Sequence, residues 1–304
     1  MDQCRTTFIL PYYRGIEYLK ITMDSLVEQT ESKWNAIVLD DRGGDDAEDL
    51  VASYCDPRFL YVRNEVTLGL AGNWNKGFSL VETEFCAILH TDDALEKNYL
   101  EKMLWLLDDF PEVAIGHSGA TIMDEDGNKC LSFPDLIKQF LRPSGDVVCT
   151  SGETGMISLA RGDWIMCPTL FFRMKLVPSK PFSNEWKFVL DLELLTRLLI
   201  DGESFVGIKE NLYRYRRHKS NQTSILTESS WRFYEELKLM EMLEEKCQKL
   251  LWHGATAKFR RRTIVRLHMA YQLVSRVATF KTRGCKQLLT GIYKPESNVF
   301  ESKN

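Results

Sequence analysis

The first half of the chain is built from short apolar runs, each followed by a segment with helical spacing, and two of the runs end in adjacent aspartates. Phe85-Cys86-Ala87-Ile88-Leu89 leads into His90-Thr91-Asp92-Asp93, and Ala36-Ile37-Val38-Leu39 leads into Asp40-Asp41. Alternation of this kind predicts a parallel sheet whose strands are joined by right-handed helical crossovers. The spacing puts strands over 7–10, 36–39, 59–62 and 85–89, and helices over 18–27, 47–54, 72–81 and 98–110, the last stopped by Pro111. Open sheets bind ligands just beyond the carboxyl ends of their strands, and both acid pairs fall at that edge. Adjacent carboxylates repel each other, and a divalent cation with substrate phosphates neutralises them. Plainer roles fit the same residues: Asp93 is placed to cap the next helix, and Asp40-Asp41 with Gly43-Gly44 to make a turn.

Further along, 120–123 and 129–132 around Asp126-Gly127 read as a hairpin. Between about 133 and 185 the periodicity fades, and Trp164 and Trp186 lie in or beside weakly patterned stretches of the kind that carry binding sites on a rigid scaffold. A helix is predicted over 189–200, a strand over 205–208, a basic aromatic segment over 212–218 and a long helix over 231–251. Asn73 is placed to cap a helix whose N-terminus would face a phosphate. Asp191 and Glu193 lie inside an apolar helical stretch and point in different directions, so at most one of them enters a site. Asp191 is nearer the helix start and is the better candidate for proton abstraction, with Glu193 the runner-up. The run from Tyr213 to Ser224 gathers cations that suit a diphosphate, with His218 as a potential metal ligand.

Among 304 residues there is no apolar run of the length a membrane-spanning helix needs. Eight cysteines without a CxxC pattern argue against a zinc cluster and fit a reducing, cytoplasmic setting. The net charge of −4 hides an asymmetry: residues 246–295 hold 12 Lys or Arg and no acid, which leaves −16 on the rest. That excess of negative charge excludes nucleic acid as a partner. Within the basic stretch, Ile264, Leu267, Tyr271, Val274 and Val277 form an apolar stripe among arginines. Either the stretch is a helical subdomain packed on the acidic body, or it lies on an anionic membrane surface, which would make the protein peripheral at the inner face of the cell membrane.

Taken in order, these motifs resemble those of the inverting glycosyltransferase family 2, over roughly residues 5–225. The matching residues are Pro11-Tyr12-Tyr13-Arg14, Val38-Leu39-Asp40-Asp41, Asn64 with Gly69, Asn73 to Gly77, the DXD-like His90-Thr91-Asp92-Asp93, Pro168 with Phe172-Arg173, the Asp191 helix, and Tyr215-Arg216-Arg217-His218. The resemblance implies an α/β GT-A fold, a mixed Rossmann-like sheet flanked by helices over 1–225, with a basic helical extension over 226–304. It implies a donor of UDP- or dTDP-sugar type held by Pro11, Tyr13, Asp40, Asp41, Asn73 and Asp92, with Tyr13 stacking on the base and Asp92 at the ribose. It implies Mn²⁺ or Mg²⁺ held by Asp93 and His218, and Asp191 as the general base that deprotonates a glycan or lipid-linked acceptor. Arg173, Arg216, Trp164 and Trp186 are expected at the diphosphate or the acceptor. Two departures stand out: Trp74-Asn75 where the family often has Arg-Asn, and Leu190-Asp191 where it often has Glu-Asp. Two rival readings are a non-catalytic sugar-nucleotide-binding or scaffold protein with a degenerate site, and a nucleotidyltransferase. The second needs a Gly-rich basic loop where this chain has Pro11-Tyr12-Tyr13-Arg14-Gly15.

Overall fold

In the computed structural model, the structure describes residues 4–44, 47–130, 140–217, 226–227, 230–280 and 284–300. Strands β1 (Thr6–Tyr12), β2 (Trp34–Asp40), β3 (Phe59–Arg63) and β4 (Phe85–Ile88) run parallel in the order β3-β2-β1-β4. They are joined by α1 (Ile16–Val27), α2 (Ala47–Ser53) and α3 (Gly69–Ser79). The chain continues through β5 (Ala94–Leu95), α4 (Tyr99–Asp109), β6 (Ile115–Met123), β7 (Val147–Ser151), α5 (Gly152–Ala160), β8 (Leu170–Arg173), α6 (Leu190–Ile200) and β9 (Ser204–Arg216). β8 enters antiparallel between β4 and β6, and β6 pairs parallel with β9, which also takes β5 and β7 antiparallel. Four helices close the chain: α7 (Trp231–Lys249), α8 (His253–Arg261), α9 (Thr263–Ala278) and α10 (Cys285–Tyr293).

The period of two along the strands divides the core in two. Phe8, Leu10 and Tyr12 of β1, with Phe85, Ala87 and Leu89, pack on one face of the sheet against α1 and α4. Ile9, Cys86 and Ile88 point to the other face, where they meet Trp74 and Phe78 of α3 and the apolar side of α6. Phe233, Leu237, Phe259, Val265 and Met269 belong to that second core, so the 226–304 helices share packing with the sheet-bearing half.

The parallel strands and their helices follow the sequence reading, with α3 beginning at Gly69 ahead of the expected 72. The weakly patterned region departs from it. β7, α5 and β8 all form there, because β7 and β8 gain their order from pairing with β9, β4 and β6. The 120–123 run is the end of a nine-residue strand in the sheet; of its expected hairpin partner, 131–132 lie outside the described residues, and Lys129 bridges to Met123.

His117 of β6 is buried, edge-on to Trp164, and lies over Gly207, where any Cβ would overlap the imidazole. Burial pushes its pKa from 6.5 to about 3, and the nearby Arg142 acts in the same direction. The folded chain therefore holds His117 neutral where the unfolded chain binds a proton. Its stabilising contribution is complete above pH 6.5 and is lost as pH falls towards about 3. At about pH 5 the loss for this group alone reaches about 2 kcal/mol. Urea unfolding at about pH 7 and about pH 5 is expected to show a smaller acid destabilisation for His117→Gln than for the parent chain. Equal slopes would show that His117 does not contribute.

Candidate active site

The parallel strands end along one rim, and the functional groups gather there. In register, Tyr12 of β1 pairs with Asp40 of β2, and Asp40 with Arg63 of β3. Thr91 just past β4 donates its hydroxyl to the Pro11 carbonyl at 3.1 Å, which fixes the DXD-like segment beside β1. Tyr13, the next residue but one, is 47 % exposed, with the Arg14 guanidinium over its ring. The loop after β2 returns against it so closely that a Cβ on Gly43 would overlap the Tyr13 carbonyl.

His90, Asp92 and Asp93 bring ligand atoms within 4.8 Å of one another, the one such group among the described residues. Their environments differ. Asp93 is fully buried; its Oδ1 accepts from the Arg216 backbone N–H at 2.7 Å and its Oδ2 from the Tyr213 hydroxyl at 3.0 Å. Burial pushes its carboxyl well above the usual range, and the neighbouring Asp92 adds to that. Asp92 is part-exposed, so of the two aspartates it is the one that solvent reaches. The His90 ring stacks on Trp74 with centroids 5.5 Å apart, and its Nε2 is buried without a hydrogen-bond partner. Burial lowers the His90 pKa below 6.5, against a counter-pull from Asp92 and Asp191. A neutral imidazole with an unused ring nitrogen beside two carboxylates is a donor set that fits a divalent ion of the Mn²⁺ type. The sequence reading missed His90 as a ligand; its place three residues before Asp93 was the available signal.

Asp191 lies in the first turn of α6, at the positive end of that helix, and its influence on His90 places it within electrostatic reach of the cluster. Glu193, the runner-up, is paired with Arg197 at 2.9 Å and so is committed within its own helix. The approach to Asp191 is held from two sides. Asn75 of α3 clasps Phe182 through both its backbone groups. The Glu235 carboxylate of α7, 1 % exposed, accepts from the backbone N–H groups of Lys187, Phe188 and Val189 and from the Trp231 indole. It thus caps, from another helix, the segment that leads into the helix carrying Asp191. Glu235→Gln is expected to lower turnover about tenfold with donor affinity unchanged, because one acceptor oxygen becomes a donor facing those N–H groups. An unchanged turnover would show that the cap does not set the position of Asp191.

Several expected contacts lie elsewhere. Arg173 sits opposite Phe85, at the far end of β4 from the rim, with its guanidinium on the Val113, Leu107 and Phe110 carbonyls and on Glu84. It ties the end of α4 to the sheet and does not reach a diphosphate. Arg173→Met is expected to cost about 2–4 kcal/mol in urea unfolding, through carbonyls left unpaired, while nucleotide affinity stays unchanged. Trp164 and Trp186 are core side chains at 5 % and 4 % exposure, the first donating to Ser158 Oγ and the second lying beneath the Lys238 ammonium. Neither is open to an acceptor. Arg216 is at the rim, yet its guanidinium is spent on the Asp92, Asp124 and Glu125 carbonyls.

Asn73 is not a cap: α3 begins at Gly69, and Asn73 is buried in its second turn, bonded to Asn64 and the Leu39 carbonyl. Asp41 takes the Leu68 and Gly69 N–H groups, so the N-terminus of α3 already holds an anion and is closed to a phosphate. Asp40, with no exposed surface, accepts from the Arg42 and Gly43 N–H groups and from the Tyr61 hydroxyl. Both aspartates therefore shape the loop behind Tyr13, and neither carboxylate faces a base directly. His218 lies outside the described residues.

A mixed sheet with a parallel half, flanked by helices and followed by a helical C-terminal part, with a His90, Asp92 and Asp93 cluster at its rim, is the architecture of the GT-A glycosyltransferases. Residues 7–157 match the family model for Glycosyl transferase family 2, and the chain belongs to that family. It is 24 % identical over 250 residues to TuaG of Bacillus subtilis, named as a teichuronic acid biosynthesis glycosyltransferase, covering 78 % of this chain and 89 % of that one. Its fold is similar to that of TarS 1-349 from S. aureus in complex with UDP-GlcNAc, at 14 % identity and TM-score 0.59, covering 96 % and 92 % of the two chains. It is also similar to the mannosyltransferase PcManGT from Pyrobaculum calidifontis in complex with GDP-Man and Mn²⁺, at 14 % identity and TM-score 0.56, covering 99 % and 86 %.

Proposed function

We propose that the protein transfers a sugar from a nucleoside-diphosphate donor of UDP or dTDP type to a hydroxyl of a surface-polysaccharide acceptor or its lipid-linked intermediate, with inversion at the anomeric carbon. The observation that carries this reading is Asp191, held at a helix N-terminus within electrostatic reach of the His90, Asp92 and Asp93 cluster. The relative named for teichuronic acid biosynthesis supports the acceptor class; both nucleotide-sugar complexes support a nucleoside-diphosphate sugar as donor, and that of TarS with UDP-GlcNAc supports the UDP type.

In this reading the exposed Tyr13 ring stacks on the base, and the buried Asp40 and Asp41 hold the loop that positions it. Asp92 and His90 hold the cation, while Asp93, fixed by Tyr213 and Arg216, holds the segment that carries them. A bound divalent ion supplies charge compensation for the departing diphosphate. Asp191 accepts the acceptor's hydroxyl proton as that oxygen bonds to the anomeric carbon. The bond from that carbon to the diphosphate breaks, and the nucleoside diphosphate leaves with the electron pair. Attack from the face opposite the leaving group inverts the configuration.

The test is nucleotide release by the purified chain over a panel of nucleotide sugars with a glycan acceptor, in Mn²⁺, Mg²⁺ or EDTA, with the product anomer read by NMR. One donor is expected to turn over, faster with Mn²⁺ than with Mg²⁺ because of the His90 nitrogen, and not at all in EDTA. Release from no donor, or retention of configuration, would overturn the reading.

A further inference from the structure

We infer that the paired helices α9 and α10 form a docking face for an anionic lipid bilayer. α9 has two apolar sides. Val265 and Met269 are spent in the core, but Leu267, Tyr271 and Val274 recur at helical spacing on the outer side, with Val277 beside them, at 60, 41, 69 and 62 % exposure. Phe280, just past the helix, is 94 % exposed. α10, packed against α9, buries Leu288 and turns Leu289 and Tyr293 outward at 48 and 76 %. Tyr271 lies against the His268 ring, and the other outer side chains stand exposed; a second apolar face on one helix pair marks an interaction surface.

Charge identifies the occupant. Arg266, Lys286 and Lys294 are exposed among or beside the apolar groups, while Arg260 and Arg262 are paired with Glu241 and Glu244 of α7 and Arg276 is buried. A second copy docked face to face across a two-fold axis would set these cations against one another. A nucleic acid gains nothing from the apolar stripe and is repelled by the −16 on the rest of the chain. An acidic headgroup layer above an acyl interior meets both features at once: the stripe enters, the cations meet the headgroups, and the two tyrosines suit the boundary. No helix among the described residues is long and apolar enough to cross a membrane, so the attachment lies on the surface.

The inference does not depend on the transfer reaction, and its test reads binding separately. The full chain is floated with vesicles of phosphatidylcholine alone or mixed with phosphatidylglycerol. It is expected to partition to the mixed vesicles, weakly or not at all to the neutral ones, and to be released by raised salt. Val274→Asp with Val277→Asp, and separately Arg266→Glu with Lys286→Glu, should each lower the bound fraction about tenfold, with the thermal melt and any donor hydrolysis in detergent-free buffer unchanged. Failure to bind mixed vesicles at low salt, or parental binding by both variants, would overturn the inference. So would a concentration-dependent dimer that Val274→Asp dissolves, which would assign the face to a second copy.

Discussion

Asp191→Asn is expected to lower turnover by about 10²–10⁴-fold while donor affinity stays within about threefold. The substitution keeps size and the local hydrogen bond to the Leu192 N–H, and it removes only the capacity to take a proton. In the role proposed for it, Asp191 would act on the acceptor hydroxyl, so the loss would fall on the chemical step and not on donor binding. Two controls sharpen it. Glu193→Gln should leave turnover within about threefold of the parent, because Glu193 is spent on Arg197. Calorimetric titration with the donor nucleotide reports whether the rim has survived. A turnover close to the parent's for Asp191→Asn would remove Asp191 from the role of base, and with it the inverting mechanism proposed above.

A second large effect separates the two neighbouring aspartates. Asp92→Asn is expected to weaken Mn²⁺ affinity about 100-fold, and metal-dependent donor binding with it, because Asp92 is the one of the two that solvent reaches. Asp93→Asn should cost less than about tenfold in Mn²⁺ affinity. An amide at 93 still accepts from the Arg216 N–H, and its nitrogen can donate to the Tyr213 oxygen, so the segment stays in place. Direct Mn²⁺ titration, followed by electron paramagnetic resonance, measures both without relying on activity. The reverse order, with Asp93→Asn the more damaging, would return the metal to Asp93 as the sequence alone suggests.

The parallel half of the sheet was legible because its information is local. Each of the runs over 7–10, 36–39, 59–62 and 85–89 is apolar and followed by a helical period; all but the edge run, which leaves Leu60 exposed, are buried on both faces. The acid pairs at the ends of two runs then mark the rim without any knowledge of contacts. The place of Asp191 in the first turn of a helix was legible for a similar reason, since helix start and apolar spacing are both written nearby. β7, β8 and the first half of β6 were not, because their partners lie far away in sequence and β-pairing is set by neighbours.

What a side chain does with its charge was equally hidden. Arg173 and Arg216 carry the same formal charge as a phosphate-binding arginine, and both spend it on backbone carbonyls that only the folded chain brings to them. Asp41 reads as a ligand in sequence and turns out to cap a helix starting 28 residues later. The aromatic partner of His90, Trp74, replaces a residue the family often has as arginine, and its stacking could be seen only once α3 lay beside the end of β4.

By itself, then, the sequence determined the class of fold, the rim and the two acid pairs that lie on it, because apolar period and strand-end chemistry are properties of consecutive residues. Only the tertiary structure decided which of those groups are open to a ligand. Exposure, and the hydrogen bonds already taken by each oxygen and nitrogen, depend on residues such as Arg216 against Asp93 and Glu235 against Val189, 123 and 46 positions apart. Burial makes those distant partners decisive, since a polar group removed from water must find its bonds within the protein.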